Sequence, residues 1–250
     1  MSVSEKLFMK IEIDRRTLKR VVDLVSCIVD EVRMEVNEDG INMKYVDPAH
    51  VAMGLLTLKA SPKTETIGAT VEIDMDFLSD VLGVMDDGDS VTLTPDDQTW
   101  TAEVDSNGFP LIMTLKMWGH DISKPSITHL DSVECVFSVK TPHLIRATRI
   151  ATATSDHVII EAGERGAWLR AERDTRRSEV LLSRGSFPKA CSAFPLDYFS
   201  SIVNSLESFD TVGVRLGTDY PVFLEAEDED LKISFLLAPR IESDWGANEK

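Results

Sequence analysis

Residues 11–41 read IEIDRRTLKRVVDLVSCIVDEVRMEVNEDGI, and residues 137–167 read FSVKTPHLIRATRIATATSDHVIIEAGERGA. Laid side by side at a constant offset of 126, without a gap, they pair Leu18 with Leu144, Arg20 with Arg146, Asp30 with Asp156, Val32 with Val158 and Gly40 with Gly166. A second block agrees at an offset of 121. There Met75-Asp76-Phe77-Leu78-Ser79 meets Leu196-Asp197-Tyr198-Phe199-Ser200, and Asp89-Ser90-Val91 meets Asp210-Thr211-Val212. One reading is two unrelated helix–strand units that share a pattern. The better one is a duplication, because both blocks recur in the same order at nearly equal offsets.

Within each half the periodicities give strand, helix, several strands, helix, more strands. Phe8 to Ile13 alternates as a strand does. Leu18, Val21, Val22, Val25, Ile28 and Val29 recur at helical spacing, which predicts an amphipathic helix over residues 15–29 with one buried stripe. Asn37-Glu38-Asp39-Gly40 and residues 161–166 read as turns between strands. A second helix is predicted near 75–85, burying Met75, Leu78, Leu82 and Met85, with Asp74 as its N-cap. Its counterpart near 196–207 buries Leu196, Phe199, Ile202, Val203 and Leu206. Short β-branched runs such as Val91-Thr92-Leu93-Thr94 and Lys232-Ile233-Ser234-Phe235-Leu236 complete each half. The fold class is α+β, two duplicated domains each with two helices on antiparallel sheet. The domains are set at residues 1–118 and 134–250, joined by an extended connector at 119–133, where Gly119, Pro125, Ser and His break every periodicity.

The chain has 250 residues, and 26 Lys+Arg against 43 Asp+Glu leave a formal charge of −17. That excludes a free-standing basic nucleic-acid module, so any nucleic acid must meet a local basic patch on a repelling body. With 43% hydrophobic residues the chain can bury a core and is not an acidic disordered tail. Three scattered cysteines, Cys27, Cys135 and Cys191, fit a reducing compartment. The N-terminus has no apolar signal core, and no segment approaches the roughly 20 apolar residues that span a bilayer. These features read as a soluble, cytosolic protein with no membrane partner.

No phosphate loop, dinucleotide fingerprint, nucleophile elbow or zinc-protease motif occurs, and the five histidines stand without a second ligand at helix spacing. Asp47-Pro48-Ala49-His50 can be written as an acid–base pair, but it reads better as a turn whose Asp caps local amides. Asp86-Asp87 and Asp96-Asp97 read as solvated turn carboxylates. Neither catalysis nor a metal or cofactor is expected. The scarce basic residues are more informative. Arg15, Arg16, Lys19 and Arg20 sit opposite the apolar stripe of the first helix, and Arg146 and Arg149 occupy the matching face of its repeat. Either these are solvated faces, or duplicated helices track a phosphate backbone without reading bases. Arg165, Arg170, Arg173, Arg176 and Arg177 form a second basic group, open to reading as a partner surface, a nucleic-acid contact or a solvated edge.

The duplicated halves, Val46-Asp47-Pro48-Ala49-His50-Val51, Asp219-Tyr220-Pro221-Val222 and Leu237-Ala238-Pro239-Arg240-Ile241-Glu242 together resemble the PCNA sliding clamp, especially its archaeal form, over roughly residues 7–244. The resemblance implies a homotrimeric ring with helices inside and sheets outside, threaded by double-stranded DNA. It would be opened by a clamp loader and would tether DNA polymerase, flap endonuclease and ligase, hydrolysing nothing itself. Such a protein is cytoplasmic in an archaeal-type cell and nuclear in a eukaryotic one.

Carried over by position, the DNA-facing residues are Arg16, Lys19, Arg20, Arg146 and Arg149, with Lys116 near the hole. The family commonly has basic second helices too. Here Asp76, Asp80, Gly83 and Asp87 hold those places in the first half, and Asp197 and Asn204 in the second, so the positive lining is expected to be uneven. The partner-peptide pocket would comprise Val46, His50, Val51, Met53, Ile127, Leu130, Pro221, Leu236, Ala238, Pro239 and Ile241. The subunit interface would pair the edge strand Ile112–Met117, with Thr114 and Lys116, against the edge strand Ser178–Ser183, with Glu179 and Leu181. Three alternatives stand beside this: a subunit of a heterotrimeric clamp, an acidic nucleotide- or metal-dependent enzyme on the same scaffold, and an assembly protein that never meets DNA. The acidic, Gly-containing end after Asp244 reads as a disordered tail.

Overall fold

Among the described residues twenty elements follow one another in two runs of ten. The first run is β1 (Ile11–Asp14), α1 (Arg15–Ser26), β2 (Glu31–Asn37), β3 (Gly40–Val46), β4 (Ala52–Leu58), β5 (Thr70–Asp74), α2 (Met75–Gly83), β6 (Ser90–Asp96), β7 (Thr99–Ser106) and β8 (Phe109–Lys116). The second is β9 (Cys135–Lys140), α3 (Thr141–Thr152), β10 (His157–Gly163), β11 (Gly166–Arg173), β12 (Arg176–Ser183), β13 (Ala190–Pro195), α4 (Leu196–Ser205), β14 (Thr211–Leu216), β15 (Val222–Glu227) and β16 (Leu231–Leu237). This computed structural model describes residues 10–37, 40–59, 70–96, 99–106, 108–116, 133 and 135–240. The connector at 119–133 therefore lies outside the described residues apart from Val133, as do Ile127, Leu130, Ile241, Met117 and the tail.

The duplication extends to register. Strand order β1-β6-β7-β8 in one half is matched by β9-β14-β15-β16 in the other, and β5-β2-β3-β4 by β13-β10-β11-β12. Ile11 faces Leu93 across β1 and β6, and the same offsets of 126 and 121 carry that pair onto Phe137 and Val214. Val32 opposite Ile73 likewise becomes Val158 opposite Phe194. Both helix entries recur: Arg15 N–H donates to Asp89 O at 3.0 Å and Thr141 N–H to Asp210 O at 3.1 Å. Met75 N–H donates to Asp30 O at 2.8 Å and Leu196 N–H to Asp156 O at 3.1 Å. Gly40 and its counterpart Gly166 both hold positive φ, 126° and 115°. A Cβ there would stand 2.1 Å from Leu58 O in the first case and 2.7 Å from Ser183 O in the second, so both strands need glycine to start.

The halves differ at their helix N-termini. Asp14 and Asp74 accept hydrogen bonds of 3.0 Å from Thr17 N–H and Phe77 N–H, capping α1 and α2, each contributing roughly 1 kcal/mol. Their repeat positions are Lys140 and Pro195, which supply no side-chain cap, and Pro142 stiffens the first turn of α3 instead.

Among the described residues, one compact unit holds those of 1–45, 55–125 and 228–232, and a second those of 46–54, 126–227 and 233–240. The first has α1 packed beside α2 over a core that includes Leu18, Leu24, Val25, Val91 and the fully buried Trp100. The Trp100 indole N–H donates to Glu72 O at 2.5 Å, satisfying its one polar group. The second has α3 beside α4 over Phe194, Phe199, Val212, Leu224 and Phe235.

Most of the periodicity readings match. All five residues assigned to the stripe of α4 and its end are buried. α1 stops at Ser26 rather than 29, although Ile28 N–H and Val29 N–H both still bond to Val25 O at 3.1 Å. In α2 the buried positions are Met75, Phe77, Leu78 and Val81, with Leu82 only half-buried.

Candidate functional sites

On α1 the four basic residues divide by helical position. Arg15 turns back into its own unit, donating from Nε to Met85 O at 2.9 Å and from Nη1 to Asp87 at 3.0 Å. Arg16 is exposed and, among the described residues, has no carboxylate partner. Lys19 is exposed and bridges Asp23, one turn on, at 2.5 Å. Arg20 departs from the expected solvated face. Its side chain is only 6% exposed and is ion-paired to Asp228 and, at 3.8 Å, to Asp230. The physical reason is helical geometry: Thr17, Arg20, Val21 and Leu24 lie at i, i+3, i+4 and i+7, and all four are buried. Asp228 also accepts from Asp230 N–H and Leu231 N–H, each at 3.0 Å. Burial opposes its ionisation, and these bonds with the Arg20 contact outweigh that and hold its carboxyl below the usual range.

The equivalent face of α3 is open apart from Ala147, the counterpart of Val21. Thr17, Arg20 and Leu24 correspond to His143, Arg146 and Ile150, and all three of the latter are exposed. Arg146 and Arg149 have no carboxylate partner among the described residues. Repeat equivalence thus preserved the position of Arg20 and Arg146 but not their exposure. The second helices are acidic as read: Asp76 and Asp80 on α2 and Asp197 on α4 are exposed. Asp87 is spent on Arg15.

The second site is built around Asp47, which is 2% exposed. Its Oδ1 accepts from Val51 N–H at 2.6 Å and Ala52 N–H at 2.7 Å, and its Oδ2 from Ala49 N–H and the Tyr198 hydroxyl, both at 2.9 Å. The turn reading holds, and no acid–base pair with His50 forms part of it. Burial works against the charge, but the bonds from Ala52, Tyr198, Ala49 and Val51 prevail and hold this carboxyl below its ordinary value. Tyr198, on α4, matches Phe77 in the repeat, and nothing else in the sequence marks it as a site residue. Its place one residue after the α4 acid gives no signal that its partner lies 151 positions away.

Around this anchor the second unit gathers most of the described pocket residues. Ala238 N–H donates to Val51 O at 2.8 Å. Arg240 N–H donates to Ala193 O at 2.8 Å, and Tyr220 N–H to Ser192 Oγ at 3.0 Å, so Pro239 and Pro221 are fastened to adjacent residues of β13. Val46, Val51, Met53, Pro221, Leu236, Ala238 and Pro239 are half-buried, and His50 is exposed at φ 58°.

The strands assigned to self-association are sheet edges. β8 ends one sheet of the first unit, with Phe109 76% and Ile112 66% exposed; Thr114 and Lys116 are exposed beside them. β12 ends a sheet of the second unit, and within Ser178–Ser183 Val180 is half-buried and Leu182 buried. Arg176, Arg177 and Glu179 are exposed, Leu181 is half-buried, and Glu179 is paired to Arg170 and Arg177 at 2.9 Å. The basic group of this half also splits. Arg165 lies in the β10–β11 turn, Arg170 is held by Glu161 and Glu179, and Arg173 and Arg176 flank the β11–β12 turn.

A family model for the N-terminal domain of proliferating cell nuclear antigen matches residues 9–107. The DNA polymerase sliding clamps of Methanosarcina barkeri and Methanosarcina mazei are each 32% identical to this chain over 244 residues, which is 94% of this chain and 99% of theirs. The solved structure of A. fulgidus PCNA bound to the C-terminal region of FEN-1 is similar with a TM-score of 0.82 and 26% identity, over 94% of this chain and 100% of that one. The two matched runs of ten elements are the duplicated clamp fold, and the chain belongs to the PCNA family of DNA sliding clamps, which are non-enzymatic processivity factors of replication.

Proposed function

We propose that three copies of this chain close head to tail into a ring around duplex DNA and tether DNA polymerase and other replication and repair enzymes to it. The observation that carries this reading is that, among the described residues, β8 in one unit and β12 in the other each end a sheet. An open strand carrying Phe109, Leu111 and Ile112 is a liability unless another chain covers it. A contact between two different edges is heterologous, and such contacts make rings when the rotation closes. The exposed Arg16, Lys19, Arg146 and Arg149 supply a few mobile phosphate contacts, which suits a clamp that must slide, while the overall charge of −17 repels DNA elsewhere.

Partner enzymes dock a short peptide on the half-buried apolar residues around the Asp47 turn. Support comes from the A. fulgidus relative, which binds the C-terminal region of FEN-1, and from the flexible Met53 among these residues. The unlike chemistry of the edges, apolar on β8 and charged on β12, favours one second reading, a heterotrimer in which a paralogue supplies one edge. The test is retention on DNA after clamp loading. The protein should stay on a nicked circle and be lost when that circle is cut once; equal loss from both would reject encirclement.

A further inference from the structure

Arg146, Arg149 and Ala153 lie at i, i+3 and i+7 on one face at the end of α3, and all three are exposed. Just past the helix, the turn Arg173-Asp174-Thr175-Arg176 folds against it. Arg176 Nη1 donates to Ala153 O at 3.5 Å, and Ser155 Oγ to Glu172 O at 3.1 Å. Together residues 152–155 and 173–176 wall an open cleft of about 520 Å³. Among the described residues neither Arg173 nor Arg176 has a carboxylate partner, whereas nearby Arg177 is paired to Glu172 and Glu179. Among the described residues Asp174 is the one acid lining the cleft. The negative end of α3 accounts for Arg176 in part, but makes no demand for Arg173.

The repeat sharpens the point. At the offset of 126, residues 173–176 fall on Asp47, Pro48, Ala49 and His50. His50 and Asp174 both have positive φ, 58° and 51°, so each turn holds one such residue, though not at the same place. In the first half the turn opens with an Asp that is buried and anchors the loop. In the second it opens and closes with exposed arginines.

We infer that the cleft is a phosphate subsite that continues the basic track of α3 beyond its C-terminus, gripping the backbone of the duplex as it leaves the helix face. This rests on the reading that α3 faces DNA. From Arg146 to Ala153 the helix advances about 10.5 Å, so the cleft lies about two helical turns beyond Arg146 on the same face. Arg149 and then the cleft with Arg173 and Arg176 follow Arg146 in that order along α3.

The test is fluorescence anisotropy of the full-length protein with a labelled duplex of about 30 base pairs, titrated with NaCl. Arg173→Ala with Arg176→Ala should weaken binding roughly tenfold at low salt and reduce the salt slope by about 1.8, near 0.9 for each arginine. The charge-keeping pair, Arg173→Lys with Arg176→Lys, should restore most of both, which a merely structural turn would not require. If the alanine pair matches wild type while Arg146→Ala with Arg149→Ala weakens binding, the subsite is overturned and the helix contact stands. If neither pair changes duplex affinity, the DNA-facing reading of α3 fails as well. If the alanine pair leaves duplex affinity intact but removes polymerase stimulation, the cleft serves an acidic protein partner and the inference is overturned.

Discussion

The Tyr198 hydroxyl donates to Asp47 across 2.9 Å, joining the start of α4 to the turn that carries Val46, His50 and Val51. Asp47 takes three further bonds from Ala49, Val51 and Ala52 N–H, so one carboxylate sets the shape of the loop.

Asp47→Ala leaves those amides and the phenol without their acceptor. The expected cost is about 2–3 kcal/mol of stability, with loss of peptide docking. Tyr198→Phe removes a single bond and should cost about 1 kcal/mol or less while weakening docking measurably. Isothermal titration with a FEN-1-type C-terminal peptide, beside thermal melts, separates the two effects. Unchanged affinity in both variants would detach the Asp47 turn from the docking site.

Arg20 and Arg146 occupy equivalent positions and should behave oppositely. Arg20→Ala strips the buried partner from Asp228 and should cost about 2–3 kcal/mol, lowering Tm by roughly 5–10 °C. Arg146→Ala, on an open face, should change stability by less than about 0.5 kcal/mol and weaken DNA binding instead. Equal Tm values for the two variants would contradict the burial difference.

The register of both halves was legible because offsets of 126 and 121 fix strand pairing as well as element order, down to Ile11 with Leu93 and Phe137 with Val214. The burial of Arg20 was half legible: its spacing from Thr17, Val21 and Leu24 places it on the inner stripe, but its partners lie more than 200 residues away. Nothing local to Tyr198 points to Asp47, and nothing local to β12 says that Leu182 turns inward while Glu179 turns out. Long-range polar pairs and strand facing are decided by tertiary packing, which periodicity does not encode.

Asp14, Asp47 and Asp228 share one acid response. Burial opposes ionisation in each, yet their hydrogen bonds win and lower the folded pKa below the ordinary 3.8. A lowered folded value means stability that is fully present above that ordinary value and is lost as pH falls through the folded values. Melting temperature should therefore hold from pH 7 to about 5 and drop steeply below about 4. Asp14→Asn should flatten part of that drop; a drop of the same depth would remove Asp14 from the account.

Ile112 is 66% exposed and lies opposite Glu103 of β7. Ile112→Lys, which faces Glu103 with an opposite charge, should leave the stability of dilute protein within about 0.5 kcal/mol but should shift the assembly toward monomer. Assembly unaffected by the change would take β8 out of the interface.

The most direct test of the central claim is light scattering on the size-exclusion peak of the wild-type protein at low micromolar concentration. The account predicts a mass of about 83 kDa, three times 27.8 kDa. A single peak at 27.8 kDa that does not move as concentration is raised would contradict a self-closing ring.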